Sequence, residues 1–311
     1  MEVKRIDNII VCEDAKVRVK EMGNITEIMY SDSYESKCSI KKIDKHTYMD
    51  LRSGEVKEFK KMENRACDIA SIRKTLGRLR DYLNTNITDV EKCKWVTLTY
   101  QENMVDTEKL YNDFKMFNRR LRKKIGHYEY IVAMEPQGRG AWHCHVVMIF
   151  KHKAPFIHND VIWKAWSPKG FKNGVDYTKT QKLDDVDNVG AYLTAYMADM
   201  DVDEGLNAPE VLQAVLDGRM SVKEVEVEVD GNKVKKSYLK GARLYMYPTQ
   251  FNLYRCSRGI KKPKISYDSE KNAQKKVSAA TLTYQKSIQL IDQSSDFKKV
   301  LDYRYYNSMR K

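Results

Sequence analysis

Residues 129–150 read EYIVAMEPQGRGAWHCHVVMIF, with two histidines one residue apart and a glutamate eight residues before the first. Along a β-strand successive side chains point to opposite faces, so His143 and His145 share one face and Cys144 takes the other. If QGRG bends the chain into a hairpin, the preceding strand runs antiparallel beside them and Glu135 joins the same face. Two imidazole nitrogens and a carboxylate oxygen on a rigid sheet leave coordination positions open. That donor set suits a divalent cation acting as a Lewis acid. An H-x-H pair also occurs as a plain half-exposed strand face, but the glutamate and the glycine-rich bend, which supply a nearby third ligand, favour the metal.

A second pair of residues could act beside such a cation. In NVGAYLTAYMADM, Tyr192 and Tyr196 stand four apart, which on a helix places both phenols on one face. Tyrosines at this spacing often only pack a core. Next to a polarised phosphodiester, however, a phenolate can attack phosphorus and leave a phosphotyrosine bond that a later hydroxyl reverses without ATP. A free phenol ionises near ~10, so the cation and the local field must assist deprotonation.

The chain's charge suggests where a phosphodiester would come from. In 311 residues, 56 Lys and Arg face 43 Asp and Glu, a formal +13 that favours a polyanion such as nucleic acid or an anionic membrane face. Arg119, Arg120, Arg122, Lys123 and Lys124 in RRLRKK, Lys179, Lys182, and the segments KHK (151–153) and SRGIKKPK (257–264) are candidate phosphate contacts. Each run could equally be a solvated face. Trp163, Trp166 and Tyr177 could stack on unpaired bases, although core packing is the stronger expectation for the tryptophans. No run of eighteen apolar residues occurs, and the N-terminus is charged, so a cytoplasmic protein with no membrane partner is expected. Six scattered cysteines form no C-x-x-C pair, which argues against a zinc ribbon or a disulfide framework. There is no G-x-x-x-x-G-K-[ST] phosphate loop, so strand separation would need a separate helicase.

The positioning elements can be read from periodicity. Residues 8–60 alternate in short β-runs with turns at Gly23 and Gly54. Ile69, Ile72, Leu76, Leu79 and Leu83 predict an amphipathic basic helix over 64–86. KWVTLTY (94–100) is a core strand. Asp106 caps a helix whose apolar stripe is Leu110, Phe114, Phe117 and Leu121, ending at Gly126 after a cationic turn. The histidine hairpin, a short helix NDVIWKAW, a strand at 174–183 and the tyrosine-bearing helix follow. VKEVEVEVDGNKVKKSYL reads as a hairpin about Asp230-Gly231. The expected layout is a β-rich extension at 1–63, a catalytic domain at 64–202, its hairpin-bearing extension at 203–264 and a polar Lys-rich tail at 265–311. The fold class is α+β, a central antiparallel sheet flanked by helices with β-rich extensions at both ends.

In their order, VTLTY, a glutamate ahead of GRGAWHCH and a Tyr-bearing helix, these motifs resemble the HUH endonucleases, in particular the rolling-circle replication initiators of plasmids, filamentous phages and related mobile elements. The resemblance spans roughly residues 65–201. It implies a ferredoxin-like core, Mg²⁺ or Mn²⁺ held by Glu135, His143 and His145, and Tyr192 and Tyr196 as nucleophiles of the two-tyrosine, gene A-like type, with Thr97 and Thr99 on the central strand beneath. It also implies single-stranded and duplex origin DNA as partners, with host helicase, single-strand binding protein and polymerase. One departure stands out. The family often places a lysine three residues after a tyrosine, where this chain has Ala195 and Asp199; Lys179 or Lys182 could replace that charge. A relaxase or single-strand transposase of the same superfamily, and a non-catalytic DNA-binding or autoregulatory protein on a degenerate HUH fold, are the alternatives.

Overall fold

The computed structural model describes residues 2–33, 40–44, 46–59, 69–167, 178–181, 199–229, 232–249, 251–292 and 297–310. The chain divides into two compact units, one formed by Met1–Met62 with Pro263–Lys311 and the other by Glu63–Lys262.

The first unit begins with β1 (Glu2–Ile6), β2 (Lys16–Met22) and β3 (Ile25–Ser31), then a small sheet of β4 (Ile40–Lys42), β5 (Thr47–Asp50) and β6 (Val56–Glu58). Val17, Val19 and Ile28 are fully buried and fall on one face of the β2–β3 ladder, as strand alternation requires.

The second unit holds the candidate site. Its helix α1 (Ile69–Asn86) leads to β7 (Cys93–Thr99), α2 (Thr107–Ile125), β8 (Glu129–Pro136), β9 (Trp142–Ile149), α3 (Asn159–Trp166) and β10 (Thr178–Gln181). The side chain of Asp106 accepts from the amides of Glu108 and Lys109, and Gly126 ends α2 at φ 86°, where a side chain would be strained. Leu110, Phe114, Phe117 and Leu121 are all buried, each contributing about 1.5–3 kcal/mol of apolar burial. The antiparallel sheet runs β10-β7-β9-β8-β14, where β14 is Tyr254–Cys256. Phe114 meets Tyr130 edge-on at 5.2 Å, so α2 lies on the face that carries Tyr130, Met134 and Cys144. Tyr82 of α1 meets Tyr254, which is paired with Ala133, so α1 covers part of the opposite face.

After this sheet, β11 (Met200–Asp201), α4 (Val202–Leu206), α5 (Pro209–Leu216), β12 (Val222–Val229) and β13 (Asn232–Leu239) form a smaller layer. The expected hairpin is present as the β12–β13 ladder, while its turn pair Asp230-Gly231 lies outside the described residues. The tyrosine-bearing helix was expected to run to Met200, but Met200 is already a strand residue paired with Leu239 and buried beside it. Tyr192, Tyr196, Lys182 and Tyr177 lie outside the described residues.

The chain then returns to the first unit with β15 (Lys264–Ser269), α6 (Glu270–Lys276), β16 (Thr281–Asp292) and β17 (Phe297–Asn307). Residues 265–311, expected as a polar tail, therefore supply half of a six-stranded sheet ordered β1-β16-β17-β3-β2-β15. Their polarity misleads because charges are paired inside. Arg304 lies between Glu270 and Asp302, and Ser287 donates to Asp302 at 2.7 Å. The α+β class, with a central antiparallel sheet, flanking helices and β-rich segments before and after it, agrees with the sequence reading. Among the described residues no helix is long and apolar enough to cross a membrane.

Candidate metal centre

Strand register assembles the cluster. His143 on β9 stands directly opposite Glu135 on β8 and Thr99 on β7, and His145 stands opposite Ala133 and Thr97. All share one face, while Cys144 is buried on the other. The Nε2 atoms of His143 and His145 lie 2.6 and 3.0 Å from Oε1 of Glu135. One ligand atom from each of the three residues falls within 4.8 Å of the others. The group could therefore hold a metal ion.

The protonation pattern follows from the hydrogen bonds. Trp95 can only donate, and its Nε1–H reaches Nδ1 of His145 at 3.3 Å, so that nitrogen accepts and Nε2 carries the proton given to Glu135. Burial opposes charge on Glu135, but the charge and hydrogen bonds of the two imidazoles outweigh it and hold the carboxyl well below its ordinary value. Burial also lowers His143, against the pull of Glu135, and favours a neutral ring. An ionised carboxylate beside a neutral imidazole is the state that metal binding requires.

The residues fit a cation on a further observation. Glu135 is 2% exposed, yet its Oε2 has no hydrogen-bond partner. A buried carboxylate oxygen left unpaired costs about 1–3 kcal/mol or more, and a bound cation would remove that cost. For His145 to ligate through Nε2, its proton must move to Nδ1, where Thr97 Oγ1 at 3.2 Å can accept it. Thr97 and Trp95 thus orient this ring in the manner of outer-shell partners.

Three further residues surround the centre. Arg243 donates from Nε to the carbonyl of Asp199 at 3.0 Å and from Nη1 to the carbonyl of Pro136 at 2.7 Å. The carboxylate of Asp199 accepts from the amide of Gly241 at 3.0 Å. The chain at 199 is thereby fixed to the end of β8, one residue from Glu135. Tyr247 is fully buried; burial first, then the nearby charge of Glu135, pushes its phenol well above the ordinary value. Sequence reasoning missed Arg243 and Tyr247, since neither sits in a periodic pattern; only their basic and aromatic side chains in KGARLYMYPTQ hinted at them.

The basic candidates separate. Lys179 is exposed on β10 opposite Thr97, so it stands in the row Lys179, Thr97, His145 on the histidine face. Arg119, Lys123 and Lys124 are exposed on α2, which packs on the other face. Arg120 is committed to the carbonyl of Ala165, and Arg122 to the carbonyl of Tyr128 while lying over the Tyr128 and Tyr130 rings. Trp166 is core, donating to the carbonyl of Thr99.

Fold and site together define an α+β protein with a sheet-borne two-histidine, one-carboxylate centre. Residues 93–201, which contain Glu135, His143, His145, Tyr192 and Tyr196, match the family model described as replication-associated protein, of the ORF2 and gene II protein type. That match supports a rolling-circle Rep-type protein and a role in DNA replication. No curated protein and no solved structure matches the chain.

Proposed function

We propose that this chain is an HUH-type rolling-circle replication initiator that nicks one strand of origin DNA, holds the 5′ phosphate on a tyrosine, and rejoins the strand after synthesis. The observation that carries the reading is the Glu135, His143 and His145 cluster inside the segment similar to the replication-associated family. Glu135, His143 and His145 would hold Mg²⁺ or Mn²⁺, which when bound polarises a phosphodiester.

The chain's own residues do the rest. Trp95 and Thr97 fix the His145 ring, and Lys179 places a positive charge on the face where a phosphate would lie. A phenol of Tyr192 or Tyr196 attacks phosphorus: its oxygen–phosphorus bond forms, the bond to O3′ breaks with its electron pair staying on O3′, and the phenolic proton is lost. The 3′ hydroxyl so released primes synthesis, and a later 3′ hydroxyl reverses the step. Two tyrosines allow a second transfer without release.

Arg243 answers the missing lysine. The position three residues after Tyr196 is Asp199, and its carbonyl accepts from the Arg243 guanidinium. We assign Arg243 the task of supplying positive charge there and of anchoring the chain that follows the tyrosines. Three residues span at most roughly 11 Å, so this anchor limits how far Tyr196 can stand from the end of β8.

The test is incubation of the protein with single-stranded DNA from the element's own origin and Mn²⁺. A DNA-linked species that survives a denaturing gel is expected. Binding without any covalent species, at every metal tried, would leave a non-catalytic DNA-binding protein.

A further inference from the structure

Beyond the Glu135–His143 pair the hairpin closes with the pair Pro136–Trp142, and a cavity of about 300 Å³ opens there. Pro136 and Trp142 form one side of it, and Pro209 and Met246, from the segment after Asp199, form the other. At its edge the QGRG turn is bare backbone, with Gly140 at φ 87° and space that a Cβ would share only with Val105 at 3.8 Å. Two polar side chains line it. Arg139 donates from Nε to Gln137 and from Nη2 to the carbonyl of Tyr100, which leaves Nη1 without a partner among the described residues. The carboxamide of Asn207 donates to the carbonyl of Asp203 at 2.7 Å and keeps its oxygen for other partners.

We propose that this cavity receives one unpaired nucleobase of the DNA strand, next to the phosphodiester held at the metal centre. The cavity lies at the small end of ligand sites, with room for one heterocycle. Proline rings, an indole and a thioether offer flat apolar walls of the kind on which any base can stack. The Asn207 carboxamide can pair with a base edge, and the Arg139 guanidinium with an adjoining phosphate. Its first wall pair is one register step from the metal ligands, about 3.4 Å along the strands. The +13 charge favours a polyanionic strand over a neutral small molecule as the occupant. The identity of that strand rests on the initiator reading.

The experiment is an abasic scan. A labelled single strand spanning the cleaved site is made with one abasic position at a time, and affinity is read by fluorescence anisotropy while adduct is read on denaturing gels. In the unmodified protein one position beside the cleaved bond should lose at least about fivefold in affinity, the low end for one stacked base. Val105 is 60% exposed, so Val105→Trp adds bulk at the cavity without touching the core. Val105→Trp and Asn207→Ala should each erase the dependence at that position and at no other. An abasic profile without a sensitive position, or one that both variants share with the unmodified protein, overturns the proposal. The expected profile without any adduct would keep the base site and remove the nicking reading; an adduct with an unchanged profile would do the reverse.

Discussion

Replacing Arg243 separates positioning from metal binding. Arg243 makes two charge-assisted hydrogen bonds, to the carbonyls of Asp199 at 3.0 Å and of Pro136 at 2.7 Å, and is partly buried. Bonds of this kind contribute about 1.5–3 kcal/mol each when buried. Partial exposure and non-additivity reduce the pair to about 2–4 kcal/mol. If that energy fixes the chain after the tyrosines, Arg243→Ala should slow adduct formation by about 30- to 1,000-fold. Mn²⁺ affinity, read by electron paramagnetic resonance, should stay within about threefold of the unmodified protein, because the ligands come from β8 and β9. Arg243→Lys keeps the charge but cannot span both carbonyls, so its rate should fall between the two. The assay is single-turnover adduct formation at saturating metal. An Arg243→Ala rate within threefold of normal would refute the anchoring role, and an equal loss of Mn²⁺ binding would show that Arg243 supports the metal site instead.

His143→Ala or Glu135→Ala should abolish Mn²⁺ binding and adduct formation while leaving duplex DNA affinity within a few-fold, as gel-shift and calorimetric titrations would show. In the metal-free protein both shifts act in the same direction with pH. The pKa of His143 is lowered from 6.5, so the unfolded state binds its proton first and stability declines as pH falls below that value. The contribution of Glu135, whose pKa is depressed, is present above 4.5 and is lost as pH falls through its folded value. Urea midpoints should therefore drop from pH 7.5 to 5, and His143→Gln should flatten that part of the curve; equal slopes in the two proteins would contradict it. Log affinity for DNA should fall linearly with log salt, and Lys179→Ala should reduce the slope by about one. An unchanged slope would take Lys179 out of the interface.

The candidate site was legible where chemistry follows strand alternation. His143 and His145 had to share a face, and an eight-residue spacing through a glycine-rich bend had to bring Glu135 opposite, as the register shows. The α2 stripe was equally plain, since a capped 3.6-residue periodicity is a local signal. The first unit was not legible, because β1 pairs with β16 and β3 with β17 across most of the chain's length, and such pairing leaves no mark in any local window. Charged residues added to the difficulty: Glu27, Asp302 and Arg304 are buried in ion pairs, yet read as surface in the sequence. Arg243 escaped for a related reason, as its partners are backbone carbonyls 44 and 107 residues away.

The central claim is that a tyrosine four residues from another becomes covalently joined to DNA beside the Glu135, His143 and His145 cluster. Digestion of the DNA-linked protein and mass mapping of the modified peptide tests it most directly. The account predicts the nucleotide on Tyr192 or Tyr196, reduced strand transfer in each single Tyr→Phe variant, and no adduct in the double variant, where both rings remain and only the oxygens are gone. A nucleotide on any other residue, or an adduct formed by the double variant, would contradict it.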